Sequence, residues 1–146
     1  MTTTWSRPSS TTFTVTFVDT SGVYALLDTR DAAHGQATDL WRNLLHSGEP
    51  LLTSSYVLVE ASALVQRRFG MEALRVLHED LLAPVEIRWV DASVHAIALA
   101  ALFTAGRRAL SLVDCASFVI MRANGVRQAF AFDEHFREQG FQIACA

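Results

Sequence analysis

Short runs with strand character alternate with longer helical stretches along most of this sequence, and no other feature limits its fold so much. The first run, Thr12 to Val18, alternates polar and apolar side chains, with Phe13, Val15 and Phe17 on one side, which is strand periodicity. Further strands are predicted at Leu51–Thr53, Val85–Val90, Gln128–Phe132 and Phe141–Ala144. Helical patterns fill the gaps. Asp19, Thr20 and Ser21 are helix-start residues ahead of Val23, Leu26 and Leu27. A second helix, about Ala32 to His46, carries the stripe Ala37, Leu40, Trp41, Leu44 and Leu45. Ser54 or Ser55 caps a third, which runs to about Phe69; a fourth spans Met71 to Leu82, ahead of Pro84. Asp91 or Ser93 caps a fifth that ends before Gly106, Ser111 opens a sixth that reaches about Asn124, and Glu134–Glu138 forms a short last one. Strands that alternate with helices predict an α/β fold, with a mainly parallel sheet covered on both faces.

The chain has 146 residues, enough for one domain with a substantial core, and 51% hydrophobic against 18% charged residues excludes disorder for its bulk. Residues Met1 to Thr12, rich in Thr and Ser with Pro8, read as a flexible tail. Residues 13–146 then form a single domain. No apolar run approaches the ~20 residues of a membrane helix, and the start of the chain lacks the pattern of a signal peptide. The expectation is a cytoplasmic protein with no membrane partner. Cys115 and Cys145 are too few for a disulfide framework or a zinc site and read as reduced thiols. Every basic side chain is arginine. The absence of lysine excludes a P-loop and Schiff-base chemistry. The net charge of −3 gives no global positive field for nucleic acid, so such contacts must be local.

Four acidic residues stand out against the apolar pattern. Asp19 closes TFTVTFV, Glu60 interrupts YVLVEASALV, Asp114 lies in SLVDCASFVIM and Asp133 ends QAFAFD. Carboxylates are rarely buried unless paired or bound to a cation. If the fold gathers these four, their repulsion requires shared protons or a divalent metal, since two unit charges ~4 Å apart cost about 4 kcal/mol at an effective dielectric near 20. Asp19 and Asp133 follow strands directly, and sites in parallel sheets form at the carboxyl ends of strands. Glu60 and Asp114 lie early in helices able to cover that edge. Each Asp also has a purely structural explanation. Asp19 and Asp133 can cap the helices that follow them, and Asp114 sits three residues after Ser111, as in a capping box. Capping does not account for Glu60, which lies mid-helix among Val57, Leu58, Val59, Ala61, Leu64 and Val65. Asp28 and Asp31 read as solvated loop charges, and His34 as an exposed loop histidine at what would be the rim of the site.

The segments VDTSGVYALLD, LLTSSYVLVEASALV and SLVDCASFVIMRANGVRQAFAFDEHFREQGF, taken in order, resemble the PIN-domain family, in particular VapC-like toxins of bacterial toxin–antitoxin pairs. The likeness covers nearly everything after the N-terminal tail. It implies a three-layer α/β/α sandwich with a mainly parallel central sheet, and a ribonuclease dependent on Mg²⁺ or Mn²⁺. The family's acidic quartet falls on Asp19, Glu60, Asp114 and Asp133 as catalytic and metal residues. Its small polar helper falls on Thr20 or Ser21, and its serine ahead of the third acid on Ser111. The resemblance further implies an RNA substrate, a homodimer and a cognate antitoxin that inserts a C-terminal segment into the site. Arg107 and Arg108, just upstream of Ser111, are the candidates for phosphate contacts. One position departs from the pattern: many members carry Thr two residues before the last Asp, where this chain has Ala131. That departure sustains an alternative, a non-catalytic PIN-like scaffold that binds a protein partner.

Overall fold

The computed structural model describes residues 13–144; the expected N-terminal tail, residues 1–12, lies outside them. The described residues contain five strands: β1 (Thr16–Val18), β2 (Leu51–Ser54), β3 (Val85–Arg88), β4 (Gln128–Phe130) and β5 (Gln142–Ile143). Every pairing is parallel, and the spatial order is β3-β2-β1-β4-β5. The chain builds outward from β1 through β2 to β3, then returns to the other side of β1 for β4 and β5. The gap between the carboxyl ends of β1 and β4 is therefore the topological switch point, the place where open α/β sheets hold ligands.

Seven α-helices cover the sheet among the described residues: α1 (Thr20–Leu27), α2 (His34–Ser47), α3 (Ser55–Phe69), α4 (Met71–Val76), α5 (Ala92–Ala105), α6 (Leu112–Ala123) and α7 (His135–Glu138). The pleat of the strands sorts the core into two layers. Val18, Leu51 and Phe130 pack with Val23 of α1, Leu40 and Trp41 of α2, and Ala61 and Val65 of α3. Phe17, Leu52 and Ala129 face the other way, onto Ala98 of α5, Phe118 and Met121 of α6, and Phe136 of α7. The result is the three-layer α/β/α arrangement.

Several helix starts have a side-chain cap that satisfies a backbone N–H otherwise lacking a partner. Asp19 accepts from the Ser21 amide, Ser54 from Val57, Asp91 from Val94 and Ser111 from Asp114. Two elements differ from expectation. The alternation in Thr12–Val18 suggested a strand with one polar face, yet β1 is short, central and buried throughout. Buried Thr16 is tolerated because its hydroxyl accepts a 2.8 Å hydrogen bond from Gln128 Nε2. The helix expected over Met71–Leu82 divides at Val76, and Leu77–Leu81 forms one π-helical turn. There the Leu82 amide donates to the Leu77 carbonyl at 2.9 Å, so both leucines are buried five residues apart.

Candidate active site at the switch point

The four acidic residues line one cleft of about 500 Å³, together with Thr20, Ser21, Tyr24, Asp31, Leu64 and Phe132. Each arrives by a different route. Asp19 follows β1 and is fastened to the neighbouring strand by its own amide, which donates to the Phe130 carbonyl of β4 at 3.1 Å. Asp133 lies three residues beyond β4. Glu60 projects from the second turn of α3, the helix that leaves β2. Asp114 lies in the first turn of α6, in a reciprocal box: its amide donates to Ser111 Oγ at 3.0 Å, and its Oδ2 accepts from the Ser111 amide at 3.1 Å. Asp19 and Asp114 thus each take part in a helix cap while lining the cleft.

Asp19 is the most deeply set, at 3% exposure. Its Oδ2 accepts from the Ser21 amide at 3.1 Å and from Ser21 Oγ at 2.5 Å. Burial nevertheless prevails over these bonds and, with the charges of Asp114 and Asp133 added, pushes its pKa up to about 7. Burial also raises the pKa of Asp114, against the Ser111 hydrogen bonds and with help from Asp133. The Ser21 hydroxyl has a second bond, accepting from the Phe132 amide at 3.0 Å, and so ties the β1 end to the chain after β4. Ala131 is buried with the core layer of Phe17 and Phe136. Thr20 contrasts with Ser21. Its hydroxyl is buried, lines the cleft and has no hydrogen-bond partner, a cost that native interiors seldom carry without a ligand or water.

Among the described residues, one set of donor atoms within 4.8 Å of each other suits a metal: Asp114, Asp133 and His135. His135 was not singled out from the sequence. Burial opposes charging of its ring, but Asp133, a hydrogen bond to Glu138 and Asp114 outweigh that cost, and its pKa is raised. Asp31, expected to be a solvated charge, also lines the cleft, and its Oδ1 accepts from the Ala33 amide at 2.8 Å in the turn before α2. Arg107 lies in the loop before Ser111, bonded to Glu138 at 2.7 Å; Arg108, the next residue, is exposed. On the Tyr24 side, Arg68 donates to the Tyr24 hydroxyl at 3.0 Å. His34 is less exposed than expected, with Nδ1 2.9 Å from the Ala25 carbonyl.

A divalent cation suits this donor set. Its donors are mostly carboxylate oxygens, which favour hard ions. Buried Asp19 ionises reluctantly without a nearby positive charge, and the Thr20 hydroxyl awaits a partner.

A five-stranded parallel sheet in this order, with acidic residues gathered at its switch point, belongs to a known class. The PIN domain profile matches residues 16–142, and the chain is a member of the PIN-domain family. Within it, the chain is 36% identical over 126 residues to the 23S rRNA-specific endonuclease VapC20 of Mycobacterium tuberculosis, covering 86% of this chain and 94% of that one. The crystal structure of VapC20, described as a Sarcin-Ricin loop cleaving toxin, superimposes with a TM-score of 0.75 at 35% identity, over 88% of this chain and 96% of that one. VapBC2 from Rickettsia felis and FitAcB from Neisseria gonorrhoeae share the fold at TM-scores of 0.61 and 0.60, with 14% and 16% identity. They cover 88% of this chain, and 96% and 95% of their own.

Proposed function

We propose that this protein is a metal-dependent endoribonuclease, the toxin of a VapBC-type toxin–antitoxin pair, which hydrolyses RNA phosphodiester bonds with Mg²⁺ or Mn²⁺. The observation that carries the reading is the meeting of Asp19, Glu60, Asp114 and Asp133 in one cleft at the sheet's switch point. Asp19, Glu60 and Asp114 would hold the cation, and Asp133 would complete the set. When bound, the cation offsets the carboxylates' repulsion, lowers the pKa of attacking water and stabilises charge on the phosphate. Ser21 holds the Asp19 carboxylate in place, Ser111 does the same for Asp114, and the free Thr20 hydroxyl orients water or a phosphate oxygen. Arg108 and Arg107 receive the RNA backbone, with Arg107 exchanging Glu138 for a phosphate.

The likeness to VapC20 makes large-subunit ribosomal RNA the first substrate to test. It also supports an antitoxin partner and a cytoplasmic location, where that RNA lies; no helix among the described residues is long and apolar enough to cross a membrane. The homodimer rests on the exposed apolar side of α5. Asp19→Asn and Asp114→Asn should each abolish Mg²⁺-dependent cleavage of purified ribosomal RNA while leaving the circular-dichroism spectrum unchanged. Full cleavage by both purified variants refutes the site.

A further inference from the structure

His135 lies within ligand distance of Asp114 and Asp133, yet both of its ring nitrogens already face other oxygen atoms. Nε2 faces the Ala109 carbonyl oxygen at 3.2 Å, and Nδ1 faces Glu138 Oε2 at 3.5 Å. A carbonyl only accepts, so Nε2 carries a hydrogen in this arrangement and offers no lone pair. The ring also packs tightly, with its side chain 14% exposed.

These contacts join two segments that carry site carboxylates. Ala109 lies two residues before Ser111, whose box with Asp114 opens α6. At the other end, the His135 amide donates to Asp133 Oδ1 at 2.9 Å, and Nε2 stands 3.8 Å from the same oxygen. One residue thus holds the loop before Asp114 through its ring and the Asp133 carboxylate through its backbone. No strand pairing performs this task, because Asp114 sits on a helix and Asp133 in a loop beyond the last hydrogen-bonded residue of β4.

We propose that His135 is a positioning residue that sets the distance between the Asp114 and Asp133 carboxylates, clamping the 107–110 loop to the chain after β4 through Nε2–H and the Ala109 carbonyl. The inference rests on the metal site proposed above and specifies how two of its ligands are kept in register. Outer contacts of this kind change metal affinity by about 10- to 100-fold when removed.

Mn²⁺ titration followed by electron paramagnetic resonance, with no RNA present, tests it. His135→Ala removes the clamp, whereas His135→Gln returns an amide N–H that can reach the same carbonyl. Wild type should bind Mn²⁺, His135→Ala should bind about tenfold more weakly or worse, and His135→Gln should recover to within about threefold of wild type. Equal affinity in wild type and His135→Ala overturns the clamp, as does a Gln variant no better than Ala, which would make the ring itself the ligand. If His135→Ala does not fold, the Gln variant decides by its affinity relative to wild type. Failure of wild type to bind Mn²⁺ overturns the metal site and the clamp with it. Binding by wild type that Asp114→Asn abolishes but His135→Ala leaves intact overturns the clamp alone.

Discussion

At the scale of single residues, the energetics of the cleft are dominated by a carboxylate in the wrong environment. Asp19 ionises near 3.8 in an unfolded chain and about 7 in the fold, chiefly because it is buried. Below both values the group is protonated in either state and costs nothing. As pH rises between them, the unfolded chain ionises first, so the metal-free fold loses stability, on the order of 4 kcal/mol for a difference of this size. Asp114, with its pKa also raised by burial, acts in the same direction. His135 does too: its raised pKa favours the fold at low pH, and that contribution is lost as pH climbs through the folded value. The lowered pKa values of Asp28 and Glu138 act only in more acidic solution. In EDTA, the melting temperature should therefore be several degrees higher near pH 5.5 than near pH 8. Saturating Mn²⁺, which selects the ionised carboxylates, should reverse that order. Asp19→Asn should flatten most of the metal-free dependence. A metal-free melting temperature that rises with pH over this range would contradict the account. The sequence exposed Asp19 as a misfit but concealed His135, because its role depends on Ala109, 26 residues away in the chain.

At the scale of elements, the cleft depends on how closely α1 approaches β4. A Cβ added at Gly22 would stand 2.4 Å from Phe130 Cδ1 and 2.5 Å from the Phe130 carbonyl oxygen. That carbonyl also accepts the Asp19 amide. Gly22→Ala must therefore push α1 away from the sheet and disturb the bond that places Asp19. Overpacking of this kind costs about 1–3 kcal/mol, and more where backbone resists. Urea unfolding should show a loss of about 3 kcal/mol or more, and Mn²⁺ affinity should fall in the fraction that remains folded. Full affinity at wild-type stability would mean that α1 is free to shift. Elements of this type were the most legible part of the chain. Caps at Asp19, Ser54, Asp91 and Ser111 mark where helices start, and the apolar runs mark the strands. What the pattern missed was set by tertiary packing. The π turn at Leu77–Leu81 arises because Leu77 and Leu82 both reach the core, and the short span of β1 reflects pairing length rather than propensity.

At the scale of the whole molecule, α5 leaves much of its apolar surface uncovered in the single protomer. Ala92–Ala105 is apolar around its full circumference, yet Ala98 is its one buried residue. Ile97 is 54% exposed and Phe103 74%, and Trp89, just beyond β3, is 74% exposed. The helix is anchored on one side by packing on α6 and by contact between Tyr56 of α3 and His95. Val59, one turn along α3 from Tyr56, is a further exposed apolar side chain. Exposed large apolar side chains on α5 are candidates for an interaction site, and a second copy of the chain is the partner proposed for it. Light scattering of the purified protein should then give about twice the 16.1 kDa of one chain. Ile97→Glu combined with Phe103→Glu places two charges in that interface while leaving the single buried position of α5 untouched, and should yield a folded monomer with Mn²⁺ affinity near wild type. A dimer that survives both charges would place the interface on another face, and a monomeric wild type would remove the homodimer from the proposal while leaving the cleft and its carboxylates as they are.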